Sequence, residues 1–385
     1  PPANIAEIDI TTLNIELTEY WSLKFENSSD SKSIEKVDNF LFDSVKQQSY
    51  ADVPIGSFLS GGYDSSALVY YMTQLGQKPN TFSIGFSKWK KSEDQFAKIV
   101  AEHLGVSNES IIADEQSLKL VDLMPDVYDE PIADISIVPT YMVSKLARTQ
   151  VKAVVSGEGA DELFGGYTWQ HDFFNKAYPN SLIGKIKQKL NPVDPVEFYA
   201  QSMAMGWFDN DELKKMLQPE LHQHISEDVH WFYRQNFNKT ATPLKSIQFM
   251  DIKCFMGELV LTKVDRASMA NSLEVRVPFL DHELFEYVFG LDEKEYFKKN
   301  QTKYLLYKNI ESHLPEVILD RKKQGFVGPD VYYMDIEWYK EQLRSSKLVA
   351  LGIVNQNYID DLLEETYNWK LWKIVIMEKW VQKWI

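Results

Sequence analysis

The sequence predicts an α/β fold, with a parallel β-sheet covered by helices on both faces and followed by a mostly α-helical C-terminal half. Between residues 35 and 175, apolar runs of strand length alternate with segments of helical periodicity. Glycine-rich turns follow two of these runs, at 60–62 and at 156–166. Beyond about residue 176 strand-like runs nearly disappear. Strands that alternate with helices are joined by crossover connections, so the sheet is expected to be parallel.

The elements of the first half follow from local pattern. Val37, Leu41 and Val45 share one face of a helix, and Gly105 stands where a helix ends. Strands are expected at 53–59, 81–86, 110–113 and 151–155, and helices at 33–48, 65–72, 92–104, 141–148 and in a segment after Asp114.

Composition and periodicity divide the chain into three parts. Residues 1–34 contain short strands without the mass of a domain, residues 35–175 form the α/β part, and residues 176–385 are mostly helical. The last helical segment carries Trp369, Trp372 and Trp380 on one stripe. A stripe of this kind is typical of a membrane-seeking or partner surface, but a C-terminal helix that packs on the core is the favoured interpretation.

The stretch 53–72 has the pattern strand, glycine turn, helix. This geometry directs free backbone N–H groups and a positive helix end towards an anion. The turn reads SGG-x-DS, as in the pyrophosphate loop of ATP pyrophosphatases, and the chain contains no Walker motif. The hydroxyls of Ser60, Ser65 and Ser66 can donate to phosphate oxygens, whereas Asp64 is expected to hold Mg²⁺ that touches phosphate. A plain glycine turn capped by Asp64 or Ser65 is the alternative.

A second loop, SGEGADELFGGY at 156–167, follows another predicted strand. Its glycines allow close approach of the backbone, and Glu158, Asp161 and Glu162 offer a metal ligand and an acid or base. A glycine cap before a helix with acids in its first turn is the alternative. Because parallel strands end at one edge of a sheet, both loops are expected to share a site.

Composition excludes some classes of protein. The 41 basic and 56 acidic residues give a net charge of −15, which argues against a nucleic acid or an anionic membrane as partner. The single Cys254 excludes intrachain disulfides and cysteine zinc clusters, and a reducing cytoplasm is the expected compartment. No apolar run has transmembrane length.

Six motifs, taken together and in order, resemble the synthetase half of glutamine-dependent asparagine synthetases. β-Lactam synthetases share this architecture, and so do amidotransferases that modify sugar carboxylates. The motifs span about residues 50–330 and are SFLSGGYDSS, TFSIGF, VVSGEGADELFGGY, KVDRASMANSLEVRVPFLD, KYLLY and LPEVILDRKKQGF.

The resemblance implies that a small-molecule carboxylate attacks the α-phosphorus of ATP, and that ammonia then displaces AMP from the acyl-adenylate to leave an amide. By motif position, Glu158 would position or deprotonate the amine and Lys303 would neutralise phosphate or oxyanion charge. Asp64 and Asp161 would carry Mg²⁺. The residues implied to bind ATP and pyrophosphate are Leu59, Ser60, Gly61, Gly62, Asp64, Ser65, Ile84, Ser156 and Gly157.

The role of two further motif pairs stays open. Arg321 and Lys322 either help to bind phosphate or form a solvated basic turn. Glu274 and Arg276 are expected to form a buried structural ion pair rather than a substrate clamp.

Two departures from the family pattern set the alternatives. Tyr63 stands where asparagine synthetases usually have a small aliphatic residue, so the acceptor is either aspartate or another carboxylate such as a sugar uronate. The family's N-terminal nucleophilic cysteine has no counterpart, because Cys254 lies in an apolar helical pattern typical of a core thiol. Residues 1–34 are therefore expected to be the edge of a missing glutaminase domain or subunit. A non-catalytic nucleotide-binding module is the least favoured reading, and a homodimer is one oligomeric state compatible with the sequence.

Overall fold

The computed structural model describes residues 2–203, 205–299, 301–321, 325–326, 328–365 and 368–385. Its central feature is a five-stranded parallel sheet of order β5-β4-β3-β6-β7, and a separate antiparallel hairpin is formed by β1 and β2. The predicted fold class is therefore confirmed. The strands are β1 Asn4–Ile8, β2 Ile15–Glu19, β3 Ile55–Phe58, β4 Asn80–Phe86, β5 Ser107–Ala113, β6 Ala153–Val155 and β7 Glu274–Arg276.

All four strands predicted from apolar runs are present, with shifted ends. β5 begins at Ser107 rather than at 110, because it pairs with β4 over seven residues, from Asn80↔Ser107 to Phe86↔Ala113. Main-chain pairing thus extends a strand beyond its apolar residues. The segment after Asp114 is a 3₁₀-helix, Glu115–Leu123. The α-helices of this part are α1 Ser33–Gln48, α2 Tyr63–Gln74, α3 Asp94–Leu104, α4 Met124–Val127 and α5 Ile137–Arg148.

A fifth strand comes from the half that the sequence indicated as helical. β7 pairs with β6 in parallel, with Val154 opposite Val275. Three residues are too few to show a period of two, so pattern alone does not find this strand. The division of the chain at 175 stays a prediction, and β7 joins a segment beyond that position to the sheet.

The rest of the described chain is mostly helical, as predicted. Residues Asp251–Leu261 form a π-helix, and the 3₁₀-helices are Pro219–His224, Pro278–Leu280 and Asp330–Tyr333. The α-helices are α6 Ala160–Phe164, α7 Thr168–Ala177, α8 Leu182–Leu190, α9 Pro195–Met203, α10 Asn210–Met216, α11 Trp231–Gln235, α12 Pro243–Met250, α13 Thr262–Met269, α14 His282–Gly290, α15 Glu293–Tyr296, α16 Tyr304–Ile310, α17 Glu316–Leu319, α18 Ile336–Leu343, α19 Lys347–Ala350, α20 Gln356–Glu364 and α21 Trp369–Trp384.

Two apolar cores lie on the two faces of the sheet. Val154 of β6 points into the core shared with α5 and α21, and the next residue, Val155, points into the core shared with α1, α2 and α16. This alternation is what a strand requires when both of its faces are covered. The sheet is therefore buried in the middle of the molecule, and its carboxyl edge is left for the loops.

Helix α21 packs on the core, which confirms the favoured interpretation of the tryptophan stripe. Trp372 is buried, and the indole N–H groups of Trp372, Trp380 and Trp384 donate to backbone carbonyls of the segment 125–133. Within the described part of the chain, no helix has the length and apolar character needed to cross a membrane.

Candidate active site

The turn with the SGG-x-DS pattern, residues 60–65 and here named the pyrophosphate loop after the motif it resembles, connects β3 to α2 at the carboxyl edge of the sheet. Ser65 Oγ accepts from the backbone N–H of Ser60 at 3.1 Å and lies 3.1 Å from Ser60 Oγ. Gly61 has φ of +71°, and a Cβ there would lie 2.5 Å from the backbone of Phe96. Only glycine fits such a turn. The loop is thus tied back on itself at the positive end of α2.

The second loop, residues 156–167 and here named the acidic loop, follows β6 and lies against the pyrophosphate loop. A Cβ on Gly157 would lie 3.0 Å from Asp64 Cβ, so the small residue permits this approach. Gly159 has φ of +96° and caps α6, which places Asp161 in the first helical turn. Glu158 Oε2 is buried, and within the described residues it has no hydrogen-bond partner. The two loops therefore lie against each other, and that they form one site stays a prediction.

Lys303 joins the two loops. Its Nζ donates to Asp64 Oδ1 at 2.6 Å and pairs with Asp161 Oδ1 at 2.8 Å. The side chain is 5 % exposed, and its backbone has φ of 51° at the start of α16. Burial alone would lower the pKa of Lys303, but the charges of Asp161 and Asp64 outweigh it and raise the pKa well above the ordinary value. The ammonium is therefore charged, and it balances two carboxylates.

Gly166 makes room for this ion pair. A Cβ at this position would lie 1.9 Å from Asp161 Oδ1 and 2.3 Å from Lys303 Cε. Any side chain at position 166 would displace both charged groups. A glycine here is therefore required for the ion pair between Asp161 and Lys303.

Comparison with known proteins gives one family. The asparagine synthase family model matches residues 36–382. The chain belongs to the asparagine synthase family. It is 31 % identical to asparagine synthetase (glutamine-hydrolysing) 1 of Bacillus subtilis over 94 % of this chain and 61 % of that protein. It is 30 % identical to a putative asparagine synthetase (glutamine-hydrolysing) of Mycobacterium tuberculosis over 92 % of this chain and 58 % of that protein.

More distant proteins differ in their names. The amidase chry2 of Gibberella zeae is 24 % identical over 91 % of this chain and 61 % of that protein. Among solved structures, NMN synthetase from Francisella tularensis matches with 13 % identity and a TM-score of 0.27, covering 63 % of this chain and 95 % of that chain. The chain spans about three fifths of the length of the curated asparagine synthetases that it matches across more than nine tenths of its own residues.

The sequence leaves the role of Arg321 and Lys322 open. In the structure the Arg321 side chain is largely buried and not solvated. Its guanidinium donates to the carbonyl of Ser60 at 3.1 Å, pairs with Glu93 at 2.8 Å and lies 4.3 Å from the ring centroid of Phe96. The reading as a solvated basic turn is therefore wrong for Arg321, which holds the pyrophosphate loop. Lys322 lies outside the described residues.

The remaining predicted residues lie in or next to the strands of the sheet. Leu59 and Ile84 are buried in the cores on either face of the sheet, so their contact with adenosine stays a prediction. The backbone N–H of Ser156 donates to the carbonyl of Arg276 at 2.8 Å. The side chains of Arg276 and Glu274 do pair at 2.8 Å, but Glu274 is 58 % exposed, so the expected burial of this pair is wrong. Edge position explains the difference, because no described strand follows β7.

A second group of buried acids, which the sequence pattern does not reveal as a cluster, supports the acidic loop. Tyr167 donates to Glu162 Oε1 at 2.6 Å, and Asp251, the first residue of the π-helix, accepts from Gln170 at 2.7 Å. Burial, followed by the charge of Asp161, raises the pKa of Glu162 to about 8. Burial likewise raises the pKa of Asp251 to about 7. The signal in the sequence was an acid inside an apolar helical run, DIKCFMGELVL.

The raised pKa of Glu162 predicts a pH dependence of stability. The folded protein keeps this proton up to about pH 8, whereas the unfolded chain loses it near the ordinary value of 4.5. Protonated Glu162 therefore contributes its full share of the free energy of unfolding below pH 4.5. That contribution is lost as the pH rises through about 8. The variant Glu162→Gln should show a flatter Tm between pH 5 and 9, by several °C. Thermal melts test this, with exposed Glu283→Gln as control, and parallel curves for Glu162→Gln and the wild type would contradict it.

The two carboxylates at the contact between the loops are of a type that Mg²⁺ accepts as ligands. Among the described residues no cluster of three or more His, Cys, Asp or Glu side chains is arranged to hold a metal. Mg²⁺, however, commonly takes one or two carboxylates together with substrate phosphates and water. Asp64 and Asp161 converge on one cation, the Lys303 ammonium, so their oxygens are already placed to face positive charge.

Proposed function

We propose that this chain is an ATP-dependent carbon–nitrogen ligase that activates a carboxylate as an acyl-adenylate and transfers it to ammonia. One observation supports the proposal most directly. A single buried ammonium, Lys303, joins Asp64 of the pyrophosphate loop to Asp161 of the acidic loop. On the same acidic loop, Glu158 has a buried oxygen for which the described residues offer no hydrogen-bond partner. Acyl transfer in two steps needs a turn that binds the phosphate, a cation that offsets its charge and a carboxylate that accepts a proton.

In the first step a substrate carboxylate oxygen attacks the α-phosphorus of ATP. The bond from that phosphorus to the bridging oxygen of the β-phosphate breaks, and its electron pair leaves on pyrophosphate. The backbone N–H groups of Gly61 and Gly62 and the hydroxyls of Ser60 and Ser65 bind the leaving group, and Lys303 compensates its charge. Arg321 keeps the loop in place through the Ser60 carbonyl.

In the second step ammonia attacks the acyl carbon and AMP leaves with the electron pair of the acyl–oxygen bond. The attacking nitrogen must lose a proton, and Glu158 Oε2 is the group that takes it. Mg²⁺ would be held by Asp64 and Asp161, and when bound it supplies further charge neutralisation to the phosphates.

The acceptor proposed first is the β-carboxylate of aspartate, because the relatives at about 30 % identity are named asparagine synthetases. The second candidate is another carboxylate, such as a sugar uronate. A relative named an amidase supports this alternative, because members with this domain carry different names. Tyr63 does not decide between them. Its hydroxyl donates to the carbonyl of Leu319 and its ring packs near Tyr307, so it lies on the side of the loop facing α16 and α17.

A release assay over a panel of carboxylic acids tests the proposal. We expect pyrophosphate and AMP, formed only with Mg²⁺, an acceptor and ammonium salts present. ADP and orthophosphate as products would reject the pyrophosphate-loop assignment. Asp64→Asn and Asp161→Asn should each lower turnover by orders of magnitude, because an uncompensated triphosphate repels the incoming carboxylate. A bound nucleotide without any product would instead support the non-catalytic module.

The nitrogen source forms a further prediction: the 385-residue chain should use ammonia and not glutamine. Glutamine hydrolysis in this family would need an activated thiolate. The buried Cys254 is unsuited, since burial, followed by the charge of Asp251, raises the pKa of its thiol to about 12. Amide formation from ammonium salts should rise between about pH 7 and 9, as ammonium deprotonates. Release of glutamate at the rate of amide formation would contradict this, and Cys254→Ala would be tested next.

The exposed hairpin supports a glutamine-hydrolysing partner, either a domain or a subunit. Ile8 pairs with Ile15 and Ala6 with Leu17, so these residues form one apolar face. Ile8, Ile15 and Leu17 are 50–63 % exposed, and an isolated two-stranded hairpin is barely stable in water. With a relative's glutaminase added, Ile8→Gln with Ile15→Gln should reduce glutamine-dependent but not ammonia-dependent synthesis. Thr18→Ala, on the opposite face, is the control.

The cytoplasmic location of the protein stays a prediction.

A further inference from the structure

Helix α8, Leu182–Leu190, presents its apolar residues to solvent. Leu182, Ile183, Ile186 and Leu190 are between 52 and 81 % exposed, and no residue of the helix is buried. At about 100° per residue these four side chains fall within an arc of roughly 100°. A surface helix of a globular protein normally turns such a stripe towards the core. In α8 the half-buried residues are instead Gly184 and Gln188, on the opposite side of the helix.

The charge around α8 is opposite to that of the whole chain. Residues 173–193 contain four lysines and no Asp or Glu, although the chain has 56 acidic residues. Lys185, Lys187 and Lys189 are exposed and flank the apolar arc on both sides. Lys299 adds a fifth cation beside the start of the helix, where its Nζ donates to Asn180 at 3.1 Å. Charges act over about 8 Å in physiological salt, so this local patch decides what α8 attracts.

We propose that α8 is a docking surface for an anionic phospholipid membrane, to which the protein binds peripherally and reversibly. Apolar side chains flanked by lysines match the boundary between acyl chains and negatively charged headgroups. The net charge of −15 argues against attraction of the chain as a whole to such a membrane. Docking through α8 departs from that expectation because charges are screened beyond about 8 Å, so the lysine-rich patch around α8 determines what this surface attracts.

A second copy of the chain fits this surface less well. In a two-fold interface the same patch meets itself, so the lysines of one α8 would face those of the other. Nine helical residues extend about 13 Å, and four apolar side chains cover far less than the roughly 800 Å² per partner of a stable interface. A bilayer needs no matching groove and supplies the opposite charge.

Vesicle flotation of the 385-residue chain tests the proposal. With about 30 % phosphatidylglycerol in phosphatidylcholine we expect binding at about 0.05 M salt that falls as salt rises, and little binding to phosphatidylcholine alone. Ile183→Gln with Ile186→Gln should reduce partitioning at least about tenfold. Lys185→Gln, Lys187→Gln and Lys189→Gln together should reduce it and flatten its salt dependence.

The matched control replaces two exposed apolar residues outside α8. Val331→Gln with Leu351→Gln should bind vesicles like the wild type, and all variants should melt like the wild type because the changed side chains are solvent-exposed. Absence of binding to anionic vesicles at low salt overturns the proposal, and so does binding that the α8 variants leave unchanged. A concentration-dependent dimer in sedimentation velocity that Ile183→Gln with Ile186→Gln abolishes would assign the surface to a second copy instead. None of these outcomes depends on the proposed ligase activity.

Discussion

Replacing Lys303 by methionine is expected to lower kcat by about 10²–10³-fold while changing the KM for ATP by less than about tenfold. Methionine keeps much of the aliphatic stem and removes the ammonium. We expect kcat to change more than KM because the ammonium acts mainly on charge that develops in the transition state. Negative charge builds up on the leaving pyrophosphate and on the acyl oxygen during reaction, so a cation fixed between Asp64 and Asp161 contributes more to the transition state than to bound ATP.

Loss of the ammonium also has a structural cost that must be separated from catalysis. Two carboxylates would be left facing each other without a counter-ion, and breaking a buried pair costs about 3–5 kcal/mol. The double variant Lys303→Met with Asp161→Asn removes that repulsion, so it should recover much of the Tm and none of the activity. Lys308→Met is the control, because Lys308 lies on the same helix and pairs with Glu311 at the surface. A kcat near that of the wild type in Lys303→Met would remove Lys303 from the chemistry.

The place of the site in the fold could be predicted from the sequence because it depends on local pattern. Asp64 and Asp161 each follow an apolar run that ends in glycines, and parallel strands bring their carboxyl ends to one edge. The pairing of β3 with β6 places those two loops side by side. No spacing rule could add Lys303 to them, since it lies 239 residues from Asp64. Only the motif resemblance pointed to it, and its ion pairs with both aspartates were not expected.

What pattern missed is set by tertiary contacts. β7 is a strand because β6 lies beside it, and its three residues have no strand signature of their own. For Arg321 the sequence left open a phosphate contact or a solvated basic turn, yet its partners, the Ser60 carbonyl and Glu93, lie more than 200 residues earlier in the chain. Asp251 lies in an apolar run, and the pattern of that run does not show that Trp169 and Gln170 donate to its carboxylate. In each case a distant partner determines the role.

Replacing Glu158 by glutamine should separate the two half-reactions. Glutamine keeps the size of the side chain and loses the base. Glu158 has a buried oxygen for which the described residues offer no donor, so the folded protein does not depend on its charge for a known contact. The variant is therefore expected to fold with a Tm close to that of the wild type.

Adenylation needs the pyrophosphate loop, the cation and the substrate carboxylate, none of which the variant changes. Glu158→Gln should thus still exchange labelled pyrophosphate into ATP when the acceptor is present. Amide formation should fall by about 10²–10⁴-fold, the usual contribution of a positioned general base. Exposed Glu283→Gln serves as the control and should retain both activities. If exchange and amide formation are lost together in a variant with native Tm, Glu158 acts in the first step, and the proton from the attacking amine must go to another group.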